Sequence, residues 1–333
     1  MACYVRAMSA QPREAASVIL LRPGAHGPEV LLLRRRTGAS FMASAFVFPG
    51  GGADPGEDAR TAAARELFEE AGVLLARDAV GGRSATMHEG PSLLDGPSLL
   101  DGPPLLNGRP LLDGPRPFER VALSAAVAPP AADTLLDEDA PPAVHSLDEL
   151  RQRVLAGEHA TAVLAASGMT WWTEILVPWA HWITPSAEPR RFSARFYVAE
   201  LPEGQAPRFD DVETVEQIWV APADAIARAG ELMLPPPQIR TMWELQGLPT
   251  VAHVMAAARA RASEPHPILP RLGAAPSGVP CLLLPWDPEY GERGTGDSAP
   301  LTYQPAWAQG PSRFVLEDRS WKHVAAPGST TAG

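Results

Sequence analysis

The stretch Gly51-Gly52-Ala53-Asp54-Pro55-Gly56-Glu57-Asp58-Ala59-Arg60-Thr61-Ala62-Ala63-Ala64-Arg65-Glu66-Leu67-Phe68-Glu69-Glu70-Ala71-Gly72-Val73 decides how this chain is read. Residues 58–71 predict a helix: they are alanine-rich, acidic at the start and closed by Gly72. On that helix Glu66, Glu69 and Glu70 stand at i, i+3 and i+4, so three carboxylates share one face. Ala63, Leu67 and Ala71, joined by Ala64 and Phe68, form an apolar stripe well round the helix from the acids. That stripe predicts packing on a sheet.

Three carboxylates this close repel one another and raise each other's pKa values. A divalent cation removes the conflict. Magnesium suits the group because it takes hard oxygen ligands and is commonly shared between a few carboxylates and phosphate oxygens. Arg65, four residues before Glu69, can pair with it and fix its direction. Gly51 lets a loop carbonyl reach the metal where a side chain would obstruct it. An acidic helix face alone would read as a solvated surface. The complete spacing, Gly-x5-Glu-x7-Arg-Glu-Leu-x-Glu-Glu-x-Gly-Val, is a much stronger signal, expected by chance on the order of once in a million such chains.

Outward from this stretch, residues 16–21, 30–34 and 45–48 read as strands, with turn chemistry at His26-Gly27-Pro28. The cluster Pro49-Gly50-Gly51-Gly52 predicts a tight loop, and residues 73–75 a resumed strand. Residues 90–115 repeat the hexads GPSLLD, GPSLLD, GPPLLN and GRPLLD. Four proline-bearing hexads are too few for a stacked β-helix, so 81–142 is expected to be a low-complexity insertion. Ser146-Leu147-Asp148-Glu149 is a capping box opening a helix to about 156, and 159–167 predicts another. Residues 192–198 alternate as a half-buried strand, and 215–220 read as a further one. Helices are expected at 223–229 and 238–246. Beyond 262, short apolar runs at 281–284 and 314–316 point to a small β-rich extension. The expected organisation is one α/β domain over 12–262 with its insertion, followed by the extension 263–333.

The composition bounds the function. Of 333 residues, 45% are hydrophobic and 20% charged, ordinary for a globular chain. The 37 prolines and 28 glycines require considerable irregular chain. A net charge of -11 argues against general nucleic-acid binding, which depends on neutralising phosphates. Two cysteines form no disulfide framework. No apolar run reaches membrane-spanning length. Arg6, Pro12, Arg13 and Glu14 stand where a secretory signal would need an apolar core, so a cytoplasmic protein is expected.

Outside the helix, Arg34-Arg35-Arg36 alternates off a strand end. Arg34 and Arg36 therefore share a face and are candidate phosphate-binding residues, as are Arg190 and Arg191. Trp171, Trp172, Trp179 and Trp182 read as core. Glu213 and Glu216 read as exposed strand-end residues that could supply a further ligand or base. His181 has no zinc-type partner spacing and reads as structural.

Residues 51–73 resemble the Nudix box of the Nudix hydrolases, with every defining position filled. The resemblance implies a mixed sheet sandwiched between helices (α/β/α), Mg2+ or Mn2+ held by the box glutamates, and hydrolysis of a nucleoside diphosphate linked to another moiety. Carried over by position, Glu66, Glu69 and Glu70 are the metal ligands, Arg65 the orienting partner and Gly51 a loop-carbonyl contact. Glu66, Glu69 or a glutamate outside the box would act as base. Phe41-Met42, Phe48-Pro49-Gly50-Gly51, Trp182-Ile183-Thr184-Pro185, Arg190-Arg191-Phe192 and Leu234-Pro235-Pro236-Pro237 are similar to the acyl-CoA diphosphatase branch. That branch implies CoA or acyl-CoA as substrate, cleaved to 3',5'-ADP and (acyl-)4'-phosphopantetheine. ADP-ribose, dinucleotides and nucleotide sugars are the alternative substrates. A nucleotide-sensing module without turnover is the alternative class. The expected partner is a small diphosphate, with no nucleic acid and no membrane; the oligomeric state is left open.

Overall fold

The computed structural model describes residues 10–38, 42–79, 146–261, 266–275 and 278–327. The hexad tract, the wider insertion at 81–142 and Phe41 lie outside them. β1 (Arg13–Gly24) and β2 (Gly27–Arg35) form a hairpin closed by the pair Gly24 and Gly27. Along β1, Ala16, Val18 and Leu20 enter one core while Ile19 and Leu21 enter another, so the strand is covered on both faces. β3 (Phe46–Val47) pairs with β2.

The glycine cluster expected as a loop is a strand, β4 (Gly50–Gly52), antiparallel to β1 with Gly51 opposite Ala16. Glycine makes this possible. A Cβ at Gly50 would stand 2.3 Å from the Ala16 carbonyl oxygen, so the two backbones meet more closely than any side chain allows. α1 (Ala59–Ala71) follows. The Asp58 side chain accepts from the Arg60 and Thr61 N–H groups at its start, and Gly72 closes it at φ 64.

The strand expected at 73–75 is displaced to β5 (Ala76–Asp78). The Gln205 side chain takes both backbone groups of Leu74, accepting from its N–H at 2.8 Å and donating to its carbonyl at 2.9 Å. Leu74 therefore has no backbone group left for a ladder.

α2 (Leu147–Leu155) carries the full Ser146–Glu149 capping box, and α3 (Ala160–Ala166) follows. β6 (Met169–Trp171) pairs with β5. Then come β7 (Val177–Ile183), β8 (Phe192–Glu200), β9 (Thr214–Val220), α4 (Pro222–Ala227), α5 (Pro236–Leu245) and α6 (Val251–Ala260). The chain continues with β10 (Pro267–Ile268), β11 (Arg271–Ala274), β12 (Pro280–Leu283), α7 (Tyr290–Arg293), β13 (Arg313–Glu317) and β14 (Ser320–Val324).

The main sheet runs β10-β7-β8-β1-β2-β3, with β4 also on β1 and β9 on β2. It is mixed: β1 and β8 are parallel, as are β7 and β10, while the other pairs are antiparallel. One face packs on α1, α2 and α3 through Leu67, Phe68, Leu150 and Val163. The other packs on α4, α5 and α6 through Ala225, Met242 and Val254, which gives the expected sandwich. The extension is β-rich, its strands β11-β12-β13-β14 forming a second sheet. It does not stand apart, because Leu284 and Phe314 fill the same core as α5 and α6. No helix among the described residues is long and apolar enough to cross a membrane.

Candidate functional site

α1 packs on β1 so that two of its glutamates face the glycine strand. The Gly50 N–H donates to Glu70 Oε2 at 2.9 Å. A Cβ at Gly51 would lie 2.5 Å from Glu66 Oε2, so only hydrogen fits between this strand and the Glu66 carboxylate. The i, i+4 pair Glu66 and Glu70 thus forms one acidic wall. Glu69 turns aside to Arg65, whose Nη1 donates to it at 2.8 Å.

Arg65 is buried, and its guanidinium is fully used. Nε donates to Glu57 Oε1 at 3.0 Å, and Nη2 donates to Glu57 Oε2 and to the Gly52 carbonyl, each at 2.9 Å. Nη1 serves Glu69 and also Glu66 Oε1, the latter at 3.0 Å. These five bonds account for every N–H the side chain owns. The loop before α1, the helix and two of the three expected ligands are thereby locked to one planar fork. Burial alone would lower the Arg65 pKa, but the hydrogen bonds to Glu57 and the charges of Glu66, Glu69 and Glu57 raise it.

The acids respond to enclosure. Burial pushes the Glu66 carboxyl up to about 7, against the opposing pull of Arg65. Burial also pushes Glu70 up to about 8, opposed by the Gly50 hydrogen bond and by the Arg35 charge. Glu69 is raised as well, again by burial and against Arg65. A half-buried and a buried carboxylate that repel one another, with hard oxygen donors, suit a divalent cation. Among the described residues, no three His, Cys, Asp or Glu side chains already stand together as a ligand set. The structure offers the pair Glu66 and Glu70, with Glu69 held beside it by Arg65.

The expected substrate arginines are placed differently from one another. Arg34 Nη1 donates to Glu216 Oε2 at 3.0 Å, and Arg36 donates to the Asp211 carbonyl. Neither is brought against the box glutamates. Arg191 is buried and donates to the carbonyls of Thr184 and Ala10, each at 3.0 Å, with Asp297 at 3.4 Å. It ties strand ends together. Arg190 is exposed just before β8. The register sets Arg195, rather than Arg190 or Arg191, level with the Ala16–Gly51 pair. Glu213 is exposed, and its charge is felt at both Glu66 and Glu70. Trp171, Trp179 and Trp182 are core, with Trp172 half-buried, and His181 bonds Ser193 at 2.9 Å.

Three features escape the sequence reading. Glu57, a defining position of the motif without an evident partner, is the bidentate mate of Arg65. His159 Nε2 meets Asp54 Oδ2 at 3.0 Å, bringing the N-cap of α3 to the loop before α1. Arg35, lying between the two arginines singled out by alternation, is the one whose charge reaches Glu70. Only the last was signalled, since β2 alternation puts Arg35 on the face opposite Arg34.

Known proteins resemble this chain in sequence and fold. Residues 11–91 match the family model described as NUDIX domain. The Caenorhabditis elegans protein named "Putative nudix hydrolase 7" is 27% identical over 240 residues, which is 70% of this chain and 60% of that protein. The chain therefore spans less than two thirds of that relative's length. A crystal structure of a NUDIX hydrolase from Alicyclobacillus acidocaldarius superposes with a TM-score of 0.52 at 23% identity, covering 75% of this chain and 97% of that one. At that identity the likeness speaks for the fold.

Proposed function

We propose, from the premise that this chain carries a NUDIX domain, that it hydrolyses the phosphoanhydride bond of a nucleoside diphosphate linked to another moiety. The observation that carries the reading is the pair of half-buried Glu66 and buried Glu70 against a glycine strand, with Arg65 fully spent on orienting the acids around it. A Mg2+ or Mn2+ ion held by Glu66 and Glu70 would neutralise charge on the diphosphate and make a water more acidic. The chain's own residues do the rest. Arg65 keeps Glu66 and Glu69 fixed in direction, so no reorganisation is needed when charge develops. Glu69, held outside the Glu66–Glu70 pair, takes the proton from the attacking water. The water oxygen bonds to one phosphorus as the bridging P–O bond breaks in line, and the second phosphate leaves. No covalent enzyme intermediate is involved.

CoA or acyl-CoA is the proposed substrate, cleaved to 3',5'-ADP and (acyl-)4'-phosphopantetheine. Support comes from the segments around Phe48-Pro49-Gly50-Gly51, Trp182-Ile183-Thr184-Pro185 and Leu234-Pro235-Pro236-Pro237. The test is a panel of CoA, an acyl-CoA, ADP-ribose, a diadenosine polyphosphate and a nucleotide sugar, each with Mg2+ or Mn2+ and product masses read out. Fastest release of 3',5'-ADP from CoA species is expected. Cleavage of ADP-ribose with CoA left intact would overturn the CoA reading alone. Nucleotide binding without turnover on any member would replace the enzyme by a sensing module.

A further inference from the structure

Arg35 closes β2 on the face that carries Leu31 and Leu33 into the core under α1, whereas Val30 and Leu32 enter the opposite core. The register of β9 shifts between Arg34 and Arg35, which pair with Glu216 and Thr214 respectively. The extra residue therefore lies in β9, and the alternation of β2 runs on unbroken. Thr214, opposite Arg35, is fully buried and its hydroxyl approaches the Glu70 carbonyl at 3.5 Å. Arg35 is thus delivered to the C-terminal end of the acidic wall, where its charge is felt by Glu70.

Its neighbours in sequence are both satisfied by acceptors, Arg34 by Glu216 and Arg36 by Asp211. Arg35 is not: among the described residues it forms no ion pair, and its Nε is buried without a hydrogen-bond partner. The Nε of this half-buried guanidinium has given up water without regaining an acceptor, a state that a bound oxyanion relieves. Beside a carboxylate pair that suits a divalent cation, the oxyanion that fits is a phosphate, because the planar fork matches two of its oxygens.

We infer that Arg35 is the phosphate receptor of this site, binding non-bridging oxygens of the diphosphate while Glu66 and Glu70 hold the cation. The inference rests on the proposed hydrolase reading for the identity of the natural ligand, and on the geometry of Arg35 for the anion itself. The rival role is support of Glu70 by charge alone, and two binding measurements on the full chain separate them. Inorganic pyrophosphate is titrated in saturating Mg2+, and Mn2+ is titrated alone, for the wild type, Arg35→Ala and Arg35→Lys. Arg35→Ala should weaken pyrophosphate about tenfold or more while Mn2+ affinity stays within about twofold, and Arg35→Lys should recover part of the loss. Unchanged pyrophosphate affinity in both variants, or parallel loss of pyrophosphate and Mn2+, overturns the inference. Lys at this position preserves length and charge, so the comparison survives if the alanine variant does not fold. A wild type that binds pyrophosphate through Arg35 yet cleaves no diphosphate leaves the inference standing and removes the hydrolase reading.

Discussion

Arg65 shows what a single side chain contributes when every donor is committed. Its links to Glu57, Glu66, Glu69 and the Gly52 carbonyl need a planar fork with five N–H groups. Lysine offers three donors from one point and cannot reach all four partners. Arg65→Lys is therefore expected to keep the fold and lower kcat about a hundredfold or more, with a smaller change in KM. Arg65→Ala strands three half-buried acids and should cost about 3 kcal/mol in urea unfolding. A lysine variant with wild-type kcat would show that orientation of Glu66 and Glu69 does not matter. The pairing of Arg65 with Glu69 is readable from their i, i+4 spacing. The pairing with Glu57 is not, because Glu57 lies in a loop whose path depends on the glycine strand.

At the scale of elements, β4 and α1 are fitted to each other by two glycines with different duties. At Gly50 an added methyl meets the Ala16 backbone at 2.3 Å, whereas at Gly51 it meets the tip of the Glu66 side chain. Backbone cannot yield and a side-chain tip can. Gly50→Ala should destabilise by more than about 3 kcal/mol, while Gly51→Ala should cost under about 1.5 kcal/mol yet lose activity by displacing Glu66. Equal stability losses in thermal unfolding would contradict this division. The caps of α1 and α2 and the apolar run of β1 are legible because they depend on residues near in sequence. β8, read as half-buried from its alternation, is instead covered on both faces, with Phe196 and Val198 in one core and Tyr197 and Ala199 in the other. β7 is hidden by Pro178, which sits beside an irregularity in the ladder, and a proline normally speaks against a strand. β5 is displaced by Gln205, a partner 131 residues from Leu74 that no local pattern announces. α6 did have a signal, since Thr250 caps an alanine-rich run through its bond to the His253 N–H.

For the whole molecule, the extension is held by polar chemistry inside an apolar setting. Arg240, fully buried on α5, donates to Glu244 at 2.7 Å and to the carbonyls of Trp307, Gln309 and Pro311, and its guanidinium lies over Trp243 and Trp286. Arg261 shares Glu244 at 2.9 Å and donates to the Trp179 carbonyl at 2.8 Å, joining the end of α6 to β7. These acceptors come from proline-rich irregular chain, which explains why the attachment is not visible as a periodic pattern. His323 on β14 stacks on Phe314 with ring centroids 4.5 Å apart and meets Trp243 edge-on. Burial, with help from the Arg240 charge, lowers its pKa from 6.5 to about 3. The folded state therefore binds fewer protons than the unfolded chain between those values. The stability His323 contributes is full above pH 6.5 and declines as pH falls toward 3. Between pH 7 and 4.5 the wild type should lose about 2–3 kcal/mol more than His323→Phe in denaturant unfolding. Identical acid limbs for the two proteins would show that this histidine is not held neutral.

The central claim is that Glu66 and Glu70 form a cation-holding wall for diphosphate hydrolysis, and Glu70→Gln tests it most directly. Glutamine conserves volume and helix propensity and can still accept from the Gly50 N–H, so the fold should persist by circular dichroism and thermal unfolding. Only the charge that would hold the metal is removed. With the best substrate of the panel at limiting Mg2+, turnover should fall about a hundredfold or more, with partial recovery as Mg2+ is raised. Wild-type turnover by a folded Glu70→Gln protein at limiting Mg2+ would contradict the account.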